Sequence, residues 1–266
     1  MRFTFCPLFS GSSGNSLFIG AGDTRILVDA GMPGRAIEAQ LRALDVAPDT
    51  LSGILITHEH SDHIKGVGIL SRKYDLPVYA NEGTWMAMQD KIGGVALKNQ
   101  RLFYTGEDFY IGELNVSPFS IPHDAAEPVG YAFHYGSVKA ATATDIGHIN
   151  EKWMSAVAGA RVMMLESNHD MNLLISGPYP MQLKNRIKGR RGHLCNDDSA
   201  RALVELCRAG LHIVILGHLS KENNLPELAF QTAYDALCAA GIRPGEDVTL
   251  EVARREQISG SYTLEA

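Results

Sequence analysis

Apolar positions along the chain follow two rhythms. One is the short run of roughly four to eight residues, continuous or alternating and bounded by Gly, Pro, Asn or Asp, which marks strands. The other is the three-and-four spacing of an amphipathic helix. Residues 2–9, 16–19 and 24–28 read as strands, with Gly22-Asp23 as a hairpin connection and Ser10-Gly11-Ser12-Ser13-Gly14-Asn15 as a turn. Pro33 opens a helix through about residue 44, with Ile37, Leu41 and Leu44 on one face. A strand at 53–56 and a helix at 64–74 come next. Then follow a strand at 77–80 and a helix, capped by Asn81, that runs through Met88.

Residues 101–143 are strand-rich. Short apolar or alternating runs at 109–111, 114–120, 129–134 and 137–142 are broken by Gly and Pro. Beyond them come a helix at 150–158, a strand at 162–165, helices at 180–188 and 196–209, a strand at 213–216, a helix at 225–240 and a closing strand at 248–252. Strands first, then mixed strand and helix, occur twice over. Two sheets packed face to face with helices outside would account for that order. Periodicity alone gives only mixed α and β.

A chain of 266 residues, 45% hydrophobic, can bury a sizeable core as one large domain or two small ones. No Pro- or Ser-rich linker, low-complexity tract or clear repeat divides it. A net charge of −6 argues against a broad basic face for nucleic acid, though not against a local basic cleft. Cys6, Cys195, Cys207 and Cys238 form no C-x-x-C pair and no disulfide framework, which points to a reducing cytoplasm. The first residues hold no apolar stretch long enough for a signal peptide, and no run of about eighteen apolar residues suggests a membrane span.

Candidate chemistry concentrates in Thr57-His58-Glu59-His60-Ser61-Asp62-His63, directly after Gly53-Ile54-Leu55-Ile56. Imidazole and carboxylate are the ligands a borderline divalent metal takes. A buried strand ending in a tight loop can aim them at two neighbouring metal positions. Two ions need more ligands than one loop supplies. His123 after 114–120, Asp145 after 137–142 and His218 after 213–216 all lie in the loop at the end of an apolar run. Plainer readings are a solvated turn histidine, a helix N-cap ahead of Asn150 and a buried strand-end histidine.

The pattern H-x-H-x-D-H resembles the metal-binding motif of the metallo-β-lactamase superfamily. That resemblance implies an α/β (α+β) fold, the four-layered αββα sandwich. It implies that His58, His60 and His123 bind one metal and Asp62, His63 and His218 the other. Asp145 would bridge both, opposite a water or hydroxide. Two divalent ions, Zn2+ or Mn2+, are therefore expected. Zinc follows from the affinity order, and manganese suits the oxygen-rich portion. No cysteine stands at a ligand position, which disfavours the thiolate-containing variants.

Further phrases narrow the resemblance. They are Ser10-Gly11-Ser12-Ser13-Gly14-Asn15-Ser16, Leu165-Glu166-Ser167-Asn168-His169-Asp170, Gly192-His193-Leu194-Cys195-Asn196 and Gly217-His218-Leu219-Ser220-Lys221-Glu222-Asn223-Asn224. With the histidine motif they resemble the YycJ (VicX/WalJ) branch of metallo-β-lactamase-fold hydrolases, from residue 2 to about 252. Cys195 departs from the serine expected after Gly-His-Leu. The branch implies an exonuclease-like nuclease, related in fold to RNase Z and β-CASP enzymes. The stretch between Asp145 and His218 is too short for a β-CASP insertion, so residues 1–266 are expected to form one domain. No long arm for clamping transfer RNA is evident, which counts against a true RNase Z.

Local chemistry agrees with phosphodiester work. Lys184, Arg186, Lys188, Arg190 and Arg191 form a basic cluster directly before His193. Phosphate contacts need such a cluster, although a solvated helix face has the same composition. Ser12, Ser13 and Asn15 could offer hydroxyl and backbone N–H groups to a phosphate, or form an ordinary tight turn. RNase Z-like enzymes carry a similar Gly-His-Ser phrase, whose histidine contacts the scissile phosphate or assists the leaving group. The resemblance implies that role for His193. His169 is expected in the pocket wall, and Asp62 could orient the nucleophile with its second oxygen. The expected activity is a binuclear-metal-dependent phosphodiesterase or nuclease, acting on DNA or RNA through a metal-bridging hydroxide. The alternative is a small-ester hydrolase on the same fold: a thioesterase, lactonase or cyclic-nucleotide phosphodiesterase. It would have a narrow apolar pocket and no use for the basic cluster at 184–191.

Overall fold

The computed structural model describes residues 2–266. One sheet runs, in spatial order, β1 (Arg2–Phe9), β2 (Ser16–Ala21), β3 (Thr24–Val28), β4 (Gly53–Leu55), β5 (Val78–Ala80) and β6 (Gln100–Leu102). The other contains β7 (Phe109–Ile111), β8 (Leu114–Ser120), β9 (Val129–Tyr135), β10 (Val138–Ala143), β11 (Val162–Glu166), β12 (Ile213–Gly217) and β13 (Thr249–Val252). A last strand, β14 (Tyr262–Glu265), returns to pair antiparallel with β1 at the edge of the first sheet.

Alternation along the strands sorts side chains between two faces. Phe3, Phe5, Ile19 and Ile26 point inward from the first sheet and pack on Val116, Tyr131, Phe133, Met164 and Ile215 of the second. Leu27, Ile54 and Val78 point the other way. They are covered by Ile37 and Leu41 of α1 (Gly34–Ala43), Leu70 of α3 (Val67–Tyr74) and Met88 of α4 (Glu82–Ile92), with the short α2 (Ser61–Ile64) between α1 and α3 in sequence. On the far side Met163, Leu165, Val214 and Leu216 meet α5 (Glu151–Val157), α8 (Asn196–Arg208) and α9 (Pro226–Ala239) through Trp153, Leu203 and Leu237. Two further short helices, α6 (Met171–Ser176) and α7 (Met181–Ile187), follow β11. The layers are helix, sheet, sheet, helix. Central strands buried on both faces explain why they read as near-continuous apolar runs.

The helix expected over 64–74 is interrupted. Its chain breaks at Lys65-Gly66, where the Gly66 amide donates to the Ala30 carbonyl at 2.7 Å. Four labelled elements, α2, α6, β6 and β14, were not foreseen. Each is short, three to six residues, and β14 is held by its pairing with β1. No described helix is long and apolar enough to cross a membrane.

Strand direction places the site. In the first sheet β1, β3 and β4 run the same way, because β1–β2 and β2–β3 pair antiparallel and β3–β4 parallel. In the second sheet β8, β10, β11 and β12 share one direction for the same reason. Loops at carboxyl strand ends are the common location of ligand sites in such sheets.

The turn after β1 sits tightly against the loop after β4. The Asn15 amide donates to the Asp62 carbonyl, and the Gly31 amide to the Asn15 carbonyl, both at 2.8 Å. A Cβ on Gly31 would collide with the Asp62 backbone. Gly31→Ala is therefore expected to cost about 1–3 kcal/mol of stability, read by denaturant unfolding. The control Gly94→Ala, whose added carbon meets nothing within 4 Å, is expected to stay within about 0.5 kcal/mol of wild type.

Candidate metal centre

Strand ends from both sheets deliver the polar groups. The loop after β4 carries His58, His60, Asp62 and His63, and Asp29 directly follows β3. From the second sheet, His123 follows β8, Asp145 follows β10, Glu166 ends β11 and His218 follows β12. His58 Nε2 lies 3.0 Å from His60 Nδ1, which lies 3.3 Å from His123 Nε2. Asp62 Oδ2 lies 3.6 Å from both His63 Nε2 and His218 Nε2. Asp145 stands between the two groups. Its Oδ2 is 3.4 Å from His63 Nε2, and its Oδ1 is 3.7 Å from His123 Nε2 and 3.5 Å from His218 Nδ1. Within each group the candidate ligand atoms lie within 4.8 Å of one another.

Most of these rings have their second nitrogen held by a protein acceptor. His63 Nδ1–H donates to Asp29 Oδ2 at 2.7 Å, and His218 Nδ1–H to Glu166 Oε1 at 2.8 Å. His123 Nδ1–H donates to the Gly192 carbonyl at 3.1 Å. His58 Nδ1 lies 3.0 Å from Thr57 Oγ1, whose hydroxyl donates to Asp29 Oδ2 at 2.8 Å. Such bonds fix the tautomer and leave the opposite nitrogen free to bind a metal. Asp145 Oδ2 and His218 Nε2 are buried in the shared space without a hydrogen-bond partner. Buried polar atoms are seldom left so. A divalent cation among them would satisfy both, and the donor set fits one.

The electrostatics agree. Burial drives His58 well below its ordinary pKa, and the neighbouring imidazoles push it further down. Burial also works to lower His63, but Asp29, Asp62 and Asp145 outweigh it and hold that ring at about 9. His218 is held well above its ordinary value against the same burial, by Asp145, Asp62 and Glu166. Asp62 and Glu166 stay below the usual carboxylate range although burial opposes ionisation. Protonated His63 and His218 thus partly neutralise the acids when no metal is bound.

Other residues singled out from sequence fall into distinct places. His193 lies beside the cluster, with ring centroids 5.1 Å from His123 and 5.2 Å from His218. Its Nδ1–H donates to Glu166 Oε1 at 2.8 Å, and its side chain is 14% exposed. Asn15 is buried and touches two candidate ligands. Its Oδ1 accepts from the Gly11 amide at 2.9 Å, and its Nδ2 lies 3.4 Å from Asp62 Oδ2 and 3.1 Å from His63 Nε2. Ser12 and Ser13 are exposed and line a cleft next to Asp62. Arg186 pairs with both oxygens of Asp124 at 2.5 and 3.0 Å, and Arg190 Nη2 lies 3.3 Å from His148 Nε2. Lys184 donates to the carbonyls of Ile175 and Gly177, both at 2.7 Å. The structure thus ties its ammonium to the end of α6. His169 is 1% exposed with an unpartnered Nε2, and burial lowers its pKa to about 4. It is as buried as His58, His63, His123 and His218.

Sequence reasoning missed Asp29, Thr57 and Glu166 as site residues. One available signal was position. Asp29 and Glu166 are acids at the carboxyl ends of apolar runs, the place His58 and Asp145 also occupy. Glu166 is fully buried, and its Oε2 accepts from the Ile146 amide at 2.7 Å and the Leu194 amide at 3.2 Å.

Residues 24–218 match the family described as the beta-lactamase superfamily domain. The chain is 43% identical over 246 residues to the exodeoxyribonuclease YycJ of Bacillus anthracis, covering 92% of this chain and 93% of the relative. It is 40% identical over 247 residues to the exodeoxyribonuclease WalJ of Streptococcus pneumoniae, covering 92% of each. Among solved structures, the metallo-beta-lactamase fold protein YhfI of Bacillus subtilis superposes with a TM-score of 0.73 over 99% of this chain and all of that one, at 14% identity. The Zn2+-bound PqqB of Methylobacterium extorquens gives 0.71 over the whole of both chains, at 16% identity. These two likenesses concern the fold.

Two outcomes are expected at this centre. Asp29→Asn removes the charge that holds His63, and should weaken metal affinity about 10–100-fold by competition titration. The second concerns stability without metal. His63 is raised from 6.5 to about 9, so its contribution is complete below the unfolded value and lost as pH rises through about 9. The melting temperature of the metal-stripped protein should therefore fall between pH ~6.5 and ~9, and that slope should flatten in Asp29→Asn.

Proposed function

The chain belongs to the beta-lactamase superfamily, in the branch of the YycJ and WalJ proteins, and from that premise we propose that it is a metal-dependent phosphodiesterase that degrades DNA from an end. The observation that carries this reading is the paired ligand cluster around the partnerless Asp145 Oδ2 and His218 Nε2, with His193 held beside it by Glu166. Relatives that match over nine-tenths of the chain bear the name exodeoxyribonuclease. His58, His60 and His123 would hold one divalent ion and Asp62, His63 and His218 a second, with Asp145 shared. Such ions supply Lewis-acid polarisation of phosphoryl oxygens and activation of water.

The protein's own groups do the rest. Asp62, tied by Asn15, can orient a water with the oxygen not used for coordination. Glu166 fixes the Nδ1 proton of His193, so that the ring offers Nε2 to the phosphate or leaving oxygen. Arg186 and Arg190 are the phosphate contacts of the basic segment. Lys184 donates to the Ile175 and Gly177 carbonyls and would join them only on releasing that contact. We take residues 1–266 as one sandwich domain without a β-CASP insertion. Between Asp145 and His218 the chain holds only α5, β11, α6, α7, α8 and β12. Four free cysteines fit action in the cytoplasm.

The test is metal-titrated hydrolysis by stripped protein. Zn2+ or Mn2+ should restore turnover of bis-(p-nitrophenyl) phosphate and of linear duplex DNA, and leave a thioester untouched. Faster thioester turnover would replace this reading with the small-ester hydrolase. His193→Ala should retain metal yet lower DNA turnover by ~10²–10⁴-fold. The loss should be smaller on the nitrophenyl ester, whose leaving group departs without a proton. Metal loss in this variant would move His193 from the reaction to the ligand set.

A further inference from the structure

Beside Asp62 lies a cleft of about 340 Å³ lined by Ser12, Ser13, Ser61, Asp62, Ile64, Lys65 and Lys91. It is the size of the smaller ligand pockets. Its walls come from three places: the turn after β1, the start and end of α2, and the last turn of α4. Asp62 belongs both to this cleft and to the candidate metal cluster, so a group bound here lies directly beside the reacting centre.

The two lysines are the available cations at this edge. Both are exposed, and neither forms an ion pair among the described residues. Lys91 makes only a long contact, 3.4 Å, to the Glu59 carbonyl. On the opposite side Lys184 donates to two carbonyls. Two free ammonium groups and two exposed serine hydroxyls match a dianion better than a monoanion. A phosphodiester linkage carries one negative charge, whereas a phosphomonoester carries about −1.5 to −2 at pH 7.

We propose that this cleft is a subsite for the dianionic phosphomonoester at a DNA end, so that the enzyme reads the chemical state of the terminus before it cuts. The inference rests on the nuclease reading above. Charge-assisted hydrogen bonds from Lys65 and Lys91 and bonds from the Ser12 and Ser13 hydroxyls hold the end phosphate. The adjoining phosphodiester is thereby set against the metal ligands.

The test uses the metal-loaded enzyme and one linear duplex in three forms, with a 5′-phosphate, a 3′-phosphate or hydroxyls at both ends. One phosphorylated form should be degraded about tenfold or more faster than the hydroxyl form. In Lys65→Ala/Lys91→Ala that ratio should fall below about threefold. The ratio is internal to each enzyme, so a variant that merely loses fold or metal loses both rates and keeps it. Equal rates on all three forms by the wild type, or an unchanged ratio in the double variant, would overturn the subsite and leave the nuclease reading standing. Wild-type enzyme that degrades none of the three would overturn both.

Discussion

An imidazole that binds a metal through one nitrogen must have the proton on the other one held, and this pairing organises the centre. His63 leans on Asp29, His218 on Glu166, His123 on the Gly192 carbonyl and His58 on Thr57. Apart from the Thr57–His58 neighbours, each acceptor comes from a different connection than the ring it holds: Asp29 follows β3, beside β4 in the first sheet, and Glu166 ends β11, beside β12 in the second. The ligand geometry therefore depends on which strands lie side by side. The backbone also bends to it. Asp29, Asp145 and His218 adopt left-handed φ values of 61°, 62° and 56°. Such non-glycine conformations cost of order 1–3 kcal/mol each and persist only where the surroundings over-determine them. Here each of the three turns a polar side chain out of a buried strand end and into the shared space.

Glu166 links binding to chemistry. One of its oxygens accepts from both His193 and His218 at 2.8 Å, and the other is capped by two backbone amides. A fully buried carboxylate survives only with such complete satisfaction. Through it, the rings of His193 and His218 share one anchor. Asp29 plays the matching part in the first sheet, where it holds Thr57 by backbone and side chain and His63 by its ring.

The sandwich around this centre is densely packed, and its connections are exposed. Both sheets are buried on two faces, so the strand ends cannot shift without disturbing three core layers. The exposed charged groups sit in the connections instead: Lys65 at the break between α2 and α3, Lys91 at the end of α4, Arg186 and Arg190 at and after the end of α7. Loops on a fixed scaffold are the usual carriers of recognition.

The sequence by itself determined the central strands, the outer helices and the candidate ligands. Short continuous apolar runs bounded by turn residues fit strands buried on both sides, and a dense histidine-aspartate loop after such a run has the donors a metal takes. His123, Asp145 and His218 were legible because each follows an apolar run in the way His58 does. Tertiary structure alone decided the partners. That Asp29 would reach His63, that Glu166 would serve two histidines, or that Lys184 would cap a helix while Lys65 and Lys91 stayed free cannot be read from local spacing. Those facts depend on residues distant in the chain, brought together by strand direction and sheet packing.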